Sequence, residues 1–499
     1  MKNHFIKISM FALLSLSNLV SAEDFYQKTK GYRVEPEPDP PSYVRNLSKT
    51  QFEQFRDIEW LDVGLDFRLR DEYRENDYRP TGDSKFRTSP DDIVLLRSRA
   101  YVGVKDILDP LRFAVEFQDS RSYNSLYQRT NAEVNEFDLI QGYAELYFDD
   151  ALGHNRPFQI RAGRQHLELL DRRLIGNNQF RNTTNNFEGF RVRFGKKQNN
   201  WDLDTFGLQP VDRLKYNFDR PDEDTWIYGG VFSLRQWSDL ITIQPYFLGK
   251  KVNGDPYAKN TVDRKNDTDI YAPGLRIYGI FGDSGFDFDA DINKQFGRFG
   301  TTRKVGTKDT QFMLQHDAIA YSLEFGYTFD HEWKPRASIY YGYGSGDKDP
   351  NRNSTSGSNE RFDTFYGFNQ PWSRNDYFSW DNVHAPKVRL EFTPYKDVRI
   401  DTGYNAYWLA SETESWNRTN LRDLNGKSGS FLGHEFDIRV RHQLNPYVDW
   451  SMSYARFNAG DFTKTVSATL PNAQGTEDSN FFYFEIGLNA FGDGKPKYK

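Results

Sequence analysis

Strict apolar/polar alternation is the feature that most constrains what this chain can fold into. Leu61, Val63, Leu65, Phe67 and Leu69 fall on one parity, and Asp62, Gly64, Asp66, Arg68 and Arg70 on the other. A period of two places those sets on opposite faces of a strand. The stretch Phe158–Gly195 shows the pattern twice. Phe158, Ile160 and Ala162 alternate with Gln159, Arg161 and Gly163, and Phe190, Val192 and Phe194 alternate with Arg191, Arg193 and Gly195. Between these two strands runs a long polar excursion carrying Arg164, Arg172, Arg173 and Arg181. One isolated hairpin of this kind fits a soluble sheet with its arginines in water, so the number of such segments decides the fold class.

The alternation recurs in eighteen segments: 61–70, 93–105, 111–120, 137–148, 157–166, 187–195, 201–208, 225–237, 241–250, 269–281, 286–297, 311–328, 335–344, 384–393, 398–410, 433–444, 447–457 and 480–491. Long connections are expected near 74–91, 121–136, 167–186, 209–224, 251–268, 298–310, 345–383, 411–432 and 458–479. Short ones are expected near 106–110, 196–200, 282–285, 394–397 and 445–446. Short turns at one end and long loops at the other are the pattern of an all-β, up-and-down antiparallel transmembrane barrel of about eighteen strands. Closure also removes the two edges that an open sheet would expose, and a bilayer cannot hydrate unpaired backbone.

Composition agrees with that reading. A mean hydropathy of −0.80 with 37% hydrophobic residues excludes a bundle of membrane helices. Aromatic residues at 16% beside 27% charged residues suit an apolar outer band, aromatic girdles and a polar interior. The absence of cysteine excludes disulfides and thiolate metal sites, and no cofactor is expected. A net charge of −6 gives no electrostatic footprint for nucleic acid. Residues 1–22 read as a signal peptide: Lys2 and Lys7 precede an apolar run ending at Val20-Ser21-Ala22. Residues 23–58, with Pro36, Pro38, Pro40 and Pro41, read as a periplasmic lead-in or plug segment. The barrel is expected over 59–491 and a periplasmic tail over 492–499.

With the apolar faces toward lipid, the other faces line a lumen. Five strands then carry two basic residues at i and i+2: Arg68/Arg70, Arg97/Arg99, Arg191/Arg193, Lys387/Arg389 and Arg439/Arg441. Arg161 belongs to the same wall, and Arg164, Arg172, Arg173 and Arg181 to a loop long enough to fold inward and constrict it. Such a concentration of guanidinium groups would set anion preference in a pore. The same wall carries many carboxylates, so these arginines could instead brace it through cross-strand pairs. Asp287, Asp289 and Asp291 lack a metal-specifying spacing. No G-x-S-x-G or H-E-x-x-H pattern supports a barrel hydrolase, and no catalytic residue or metal ligand is assigned.

The segment around Gly163-Arg164-Gln165, its Arg-rich loop and the following Phe187-Glu188-Gly189 resembles the alginate-export family of outer-membrane channels. Gln118-Asp119-Ser120-Arg121, the run Tyr341 to Asp347, Gly433 to Asp437 and Arg456 to Asp461 extend the resemblance over most of the chain. It implies a monomeric, non-catalytic eighteen-stranded barrel in the Gram-negative outer membrane, with an electropositive lumen conducting an anionic solute. For export members that solute is a uronic-acid polysaccharide such as alginate, and Arg161 and Arg164 would help form the constriction. The expected partners are the solute, the lipid bilayer with lipopolysaccharide, and the barrel-assembly machinery. The carboxylate-rich wall leaves open uptake of small organic acids such as aromatic carboxylates.

Overall fold

The computed structural model describes residues 38–83, 87, 89–238, 240–255, 265–305, 308–348, 357–469 and 478–492. The expected signal peptide at 1–22, residues 23–37 of the expected lead-in and the expected tail beyond 492 lie outside the described residues. Eighteen long strands form one closed antiparallel barrel. They are β1 Leu61–Glu75, β2 Asp91–Val104, β3 Leu111–Tyr123, β4 Asn135–Phe148, β5 Phe158–Gln165, β6 Phe187–Phe194, β7 Trp201–Asp212, β8 Thr225–Leu234, β9 Ile241–Val252, β10 Thr268–Ile280, β11 Phe286–Val305, β12 Lys308–Thr328, β13 Arg336–Gly344, β14 Val383–Tyr395, β15 Val398–Trp408, β16 Phe431–Asn445, β17 Val448–Ala459 and β18 Ser479–Asn489. Each pairs with its successor, and β1 closes on β18 from Asp66↔Asn489 to Glu75↔Asn480.

The face assignment follows the alternation. On β1, Leu65, Phe67 and Leu69 are exposed on the outside while Arg68, Arg70, Glu72 and Arg74 are buried inside. Aromatic rings collect in two bands on the wall. At the short-turn end Phe286 meets Tyr327, Tyr327 meets Phe329, and Trp333 stacks on Phe392. Nearer the long loops Phe117 stacks on Phe137, and Tyr321 on Tyr343. These are the two interfacial girdles of a membrane barrel, flanking the apolar band. Among the described residues no helix is long and apolar enough to cross a membrane.

One expected long loop is absent. Instead of a loop over 298–310, β11 runs to Val305 and β12 starts at Lys308. The segment Gly300-Thr301-Thr302 faces Gln311, Phe312 and Met313 across a continuous ladder. Beyond the bilayer both faces of a hairpin meet water, so the hydrophobic alternation fades while backbone pairing continues.

The long loops after β5, β13 and β15 turn inward. Leu167, Leu169, Leu174 and Ile175 from the first, Phe362, Trp372, Phe378 and Trp380 from the second, and Trp416 and Leu421 from the third form one buried apolar cluster with wall residues such as Phe187, Leu248 and Tyr407. The first two loops are zipped by backbone hydrogen bonds. Tyr366 N donates to Leu174 O at 2.9 Å, Gly176 N to Tyr366 O at 3.1 Å, and Phe368 N to Arg172 O at 2.8 Å. A small hydrophobic core therefore sits inside the barrel, where a wide lumen would otherwise leave apolar wall residues wet.

Residues 38–46 enter the barrel from the short-turn end, and Arg45 pairs with Val63 near the start of β1. Tyr43 is buried against Tyr101, Ala114 and Tyr143 and donates its hydroxyl to Glu116 at 2.5 Å. Gly64 is required here, because a Cβ on it would lie 2.8 Å from the Tyr43 ring. Short 3₁₀ turns at Leu47–Lys49 and Glu53–Phe55 then lead to β1.

Candidate functional site in the lumen

The site is built on four adjacent strands. Register sets Glu145 of β4 opposite Arg161 of β5, Arg161 opposite Arg191 of β6, and Arg193 opposite Asp204 of β7. Two arginines directly opposed would repel, so each takes a carboxylate. Arg161 donates to Glu145 at 2.9 Å and lies over the Tyr143 ring at 3.8 Å, while Arg191 donates to Asp204 at 2.5 Å. Arg193 is more open, with 23% of its side-chain surface accessible. Asp39 reaches across from the inserted N-terminal segment, 2.9 Å from Arg161 and 3.1 Å from Arg193. A cavity of about 400 Å³ opens beside this cluster, lined among others by Asp39, Arg191, Arg193, Lys196, Lys197 and Arg235.

The other sequence-assigned basic residues are distributed around the wall. All five i, i+2 pairs sit on lumen faces, and their partners divide into two kinds. Arg68 and Arg97 hold the inward loop after β5: Arg68 donates to the carbonyls of Gln179 at 3.0 Å and Arg181 at 2.8 Å, and Arg97 to that of Gln179 at 3.2 Å. Arg99 reaches the side chains of Gln118 and Gln179. The other arginines of these pairs bind acids. Arg70 binds Glu485 at 2.5 Å, Arg389 binds Asp437 at 3.1 Å, and Arg439 and Arg441 both reach Asp401 at 2.9 Å. Lys387 donates to the carbonyls of Pro371 and Trp372 and thereby ties the loop after β13 to the wall.

The loop arginines are also engaged. Arg172 is buried on Glu168 at 3.1 Å, Arg173 pairs with Asp171, and Arg181 lies 3.8 Å from Asp376. Burial, with Arg418, Arg213 and Arg79 nearby, lowers the Arg181 pKa to about 9, although Asp376 opposes the fall. Burial would raise the Asp376 carboxyl, but Arg418 and Arg181 hold it below the ordinary range.

Arg164 departs from the place at the constriction that the resemblance implies for it. Register pairs it with Glu188, on the same parity as the exposed Phe190, and its guanidinium binds Glu188 at 3.2 Å and the Leu139 carbonyl at 3.0 Å. Simple parity counted from Phe158 already separates Arg161 from Arg164 by an odd number of residues. Arg164 therefore clasps β5 to its neighbours near the long-loop rim, away from the Arg161 cluster.

Several participants had no sequence assignment. Arg276 and Arg336 stand singly on their strands, bound to Asp289 at 2.9 Å and Asp287 at 2.6 Å, and Asp291 accepts from Tyr246 at 2.8 Å. The three aspartates of β11 are thus taken by protein partners. Arg374, buried in the loop after β13, reaches Asp401 at 2.7 Å. The strand period could have located Arg276 and Arg336 had single basic residues been counted as well as pairs. No periodic signal marks Asp39 or Arg374, which lie in irregular segments.

The barrel has solved counterparts at low identity. OccAB1 of Acinetobacter baumannii superposes with a TM-score of 0.55 at 10% identity, covering 89% of this chain and 99% of that one. OpdQ of Pseudomonas aeruginosa gives 0.53 at 12%, covering 86% and 97%. OccK8 (OprE) of the same organism gives 0.52 at 11%, covering 86% and 98%. These likenesses show the shared fold. A search of curated protein sequences gave no match. The family model described as alginate export matches residues 59–475, which is nearly the whole barrel with its inward loops and arginine wall. This outer-membrane barrel therefore belongs to the alginate-export family.

Proposed function

We propose that this protein is a passive, anion-preferring outer-membrane channel without catalysis, which conducts carboxylate-bearing solutes past the cluster of Arg161, Arg191 and Arg193. The observation that carries this reading is that Arg161 and Arg193 already bind a carboxylate, that of Asp39, beside an open cavity. Guanidinium groups hold carboxylates through paired, directional hydrogen bonds, and several shared sites permit release. Lys196 and Lys197 at the cavity edge add to the field that draws anions in.

Family membership supports a uronic-acid polymer such as alginate as the solute, and a single-chain barrel in lipid as the working unit. A second reading, uptake of small organic acids such as aromatic carboxylates, is favoured by the filled lumen. The inward loops pack across the long-loop half, and a cavity of about 400 Å³ is of the size that encloses a small ligand. Planar-bilayer currents separate the two. Block by a short oligouronate, with no response to benzoate-like acids, supports polymer conduction, and the converse supports small-acid uptake. Indifference to both would overturn the carboxylate channel.

A further inference from the structure

Asp39 has an unusual position for a residue of a leader segment. It lies in the Pro38-Asp39-Pro40-Pro41 run, is carried into the lumen by an anchored stretch, and places its carboxylate between arginines of two different strands. The anchors are independent of the charge: Tyr43 is buried in its aromatic pocket on Glu116, and Arg45 and Asn46 pair with β1. A quarter of the Asp39 side-chain surface still faces open space. It is therefore accessible to displacement, unlike the wall acid Glu145, which is nearly enclosed behind Arg161.

The charge balance of the cavity gives this contact a consequence. Its lining carries six arginine or lysine side chains and five carboxylates, with Asp39 among the five. Because the two totals are nearly equal, a single removable carboxylate controls much of the net field. Burial would raise the Asp39 carboxyl, but Arg161, Arg193 and Arg191 outweigh it and hold the group well below the ordinary range, so it remains ionised at neutral pH.

We infer that Asp39 is a tethered internal anion: it occupies the carboxylate site of Arg161 and Arg193, and a solute carboxylate must displace it to pass. This rests on the carboxylate-channel reading above and adds its regulation. A tethered group presents itself at an effective concentration on the order of millimolar. Weak, repetitive anions such as polymer residues then compete, whereas isolated anions at low concentration are held back. If Asp39 leaves the site free about a tenth of the time, its removal should tighten apparent solute binding about tenfold.

The test compares wild type with Asp39→Asn and Asp39→Glu as full-length protein in planar bilayers, reading the reversal potential in a potassium chloride gradient and the half-blocking concentration of a uronic-acid trisaccharide. Asp39→Asn should shift the reversal potential toward anions and lower the half-blocking concentration about tenfold, and Asp39→Glu should stay close to wild type. Unchanged values in Asp39→Asn, with an anion-preferring wild type, overturn the tethered anion and leave the channel reading standing. A larger conductance in Asp39→Asn with unchanged ion preference also overturns it, because the segment would then be a steric plug. A wild type that shows neither anion preference nor block sinks the channel reading, and the inference with it.

Discussion

Replacing Phe378 with alanine should undock the loop after β13 while leaving the barrel closed. Phe378 is 2% exposed and stacks on Tyr407 with a centroid separation of 3.6 Å and on Trp416 at 5.0 Å. It thus joins two inward loops to the wall of β15. Truncating a fully buried Phe costs about 3–5 kcal/mol where the surroundings cannot collapse, and here they are held by a rigid barrel. The lost contacts belong to loop docking, because Phe378 makes no ladder hydrogen bond. At about 1.4 kcal/mol per decade, local opening should become roughly two to three and a half orders of magnitude more frequent. Hydrogen exchange followed by mass spectrometry in detergent or nanodiscs reads this directly. Amides near Trp372, Phe378 and Trp380 should lose protection while those of β1 and β18 keep theirs. Equal loss in loop and strands would refute the reasoning, since the inner core would then be part of the barrel's cooperative unit.

Asp401 is fully buried and accepts from Arg374, Arg439 and Arg441. Asp401→Asn leaves those cations underpaired and should lower barrel stability by about 3–5 kcal/mol, seen as a lower temperature for the shift in gel mobility; an unchanged temperature would deny the bracing role. Asp219, in the loop after β7, has its carboxyl raised from 3.8 to about 6 by burial, with Asp138 adding repulsion. Between those values the native loop keeps a proton that the unfolded chain has lost. Loop docking should therefore be strongest below about pH 4 and weaken as pH rises through about 6. Exchange protection of residues 214–224, corrected for intrinsic rates, should be greater near pH 5 than near pH 7.5, and the opposite order would contradict the assignment.

The wall was legible in the sequence because one parity meets lipid and the other meets a polar interior, so every crossing strand carries the same two-residue signature. β7 and β8 also pair as read, Trp201 opposite Leu234. The signature fails where both faces share one environment. It disappears in the β11–β12 hairpin beyond the membrane, and it cannot describe the inner loops, whose partners are distant in sequence. Leu167, Leu169, Leu170, Leu174 and Ile175 are a clear apolar excess for a loop, yet no local period tells where they pack. The strand arginines of the five i, i+2 pairs, and Arg161, were legible as lumen-facing from parity alone, and Arg164 falls on the other parity. Their pairing depends on register between strands and on loops crossing the lumen, which is why the Asp39 contact and the triple use of Asp401 emerge only in three dimensions.

The central claim is that the cluster of Arg161 and Arg193 sets ion preference as charge. Exchanging both for glutamate reverses their contribution to the wall and sets it against Glu145 and Asp39. The decisive measurement is the reversal potential of single channels in a salt gradient, for wild type and for Arg161→Glu combined with Arg193→Glu. The account predicts a move from anion toward cation preference in a barrel that still assembles and resists unfolding in SDS. An ion preference that stays in place while the barrel loses heat stability would contradict it, and would make the cluster a structural clasp.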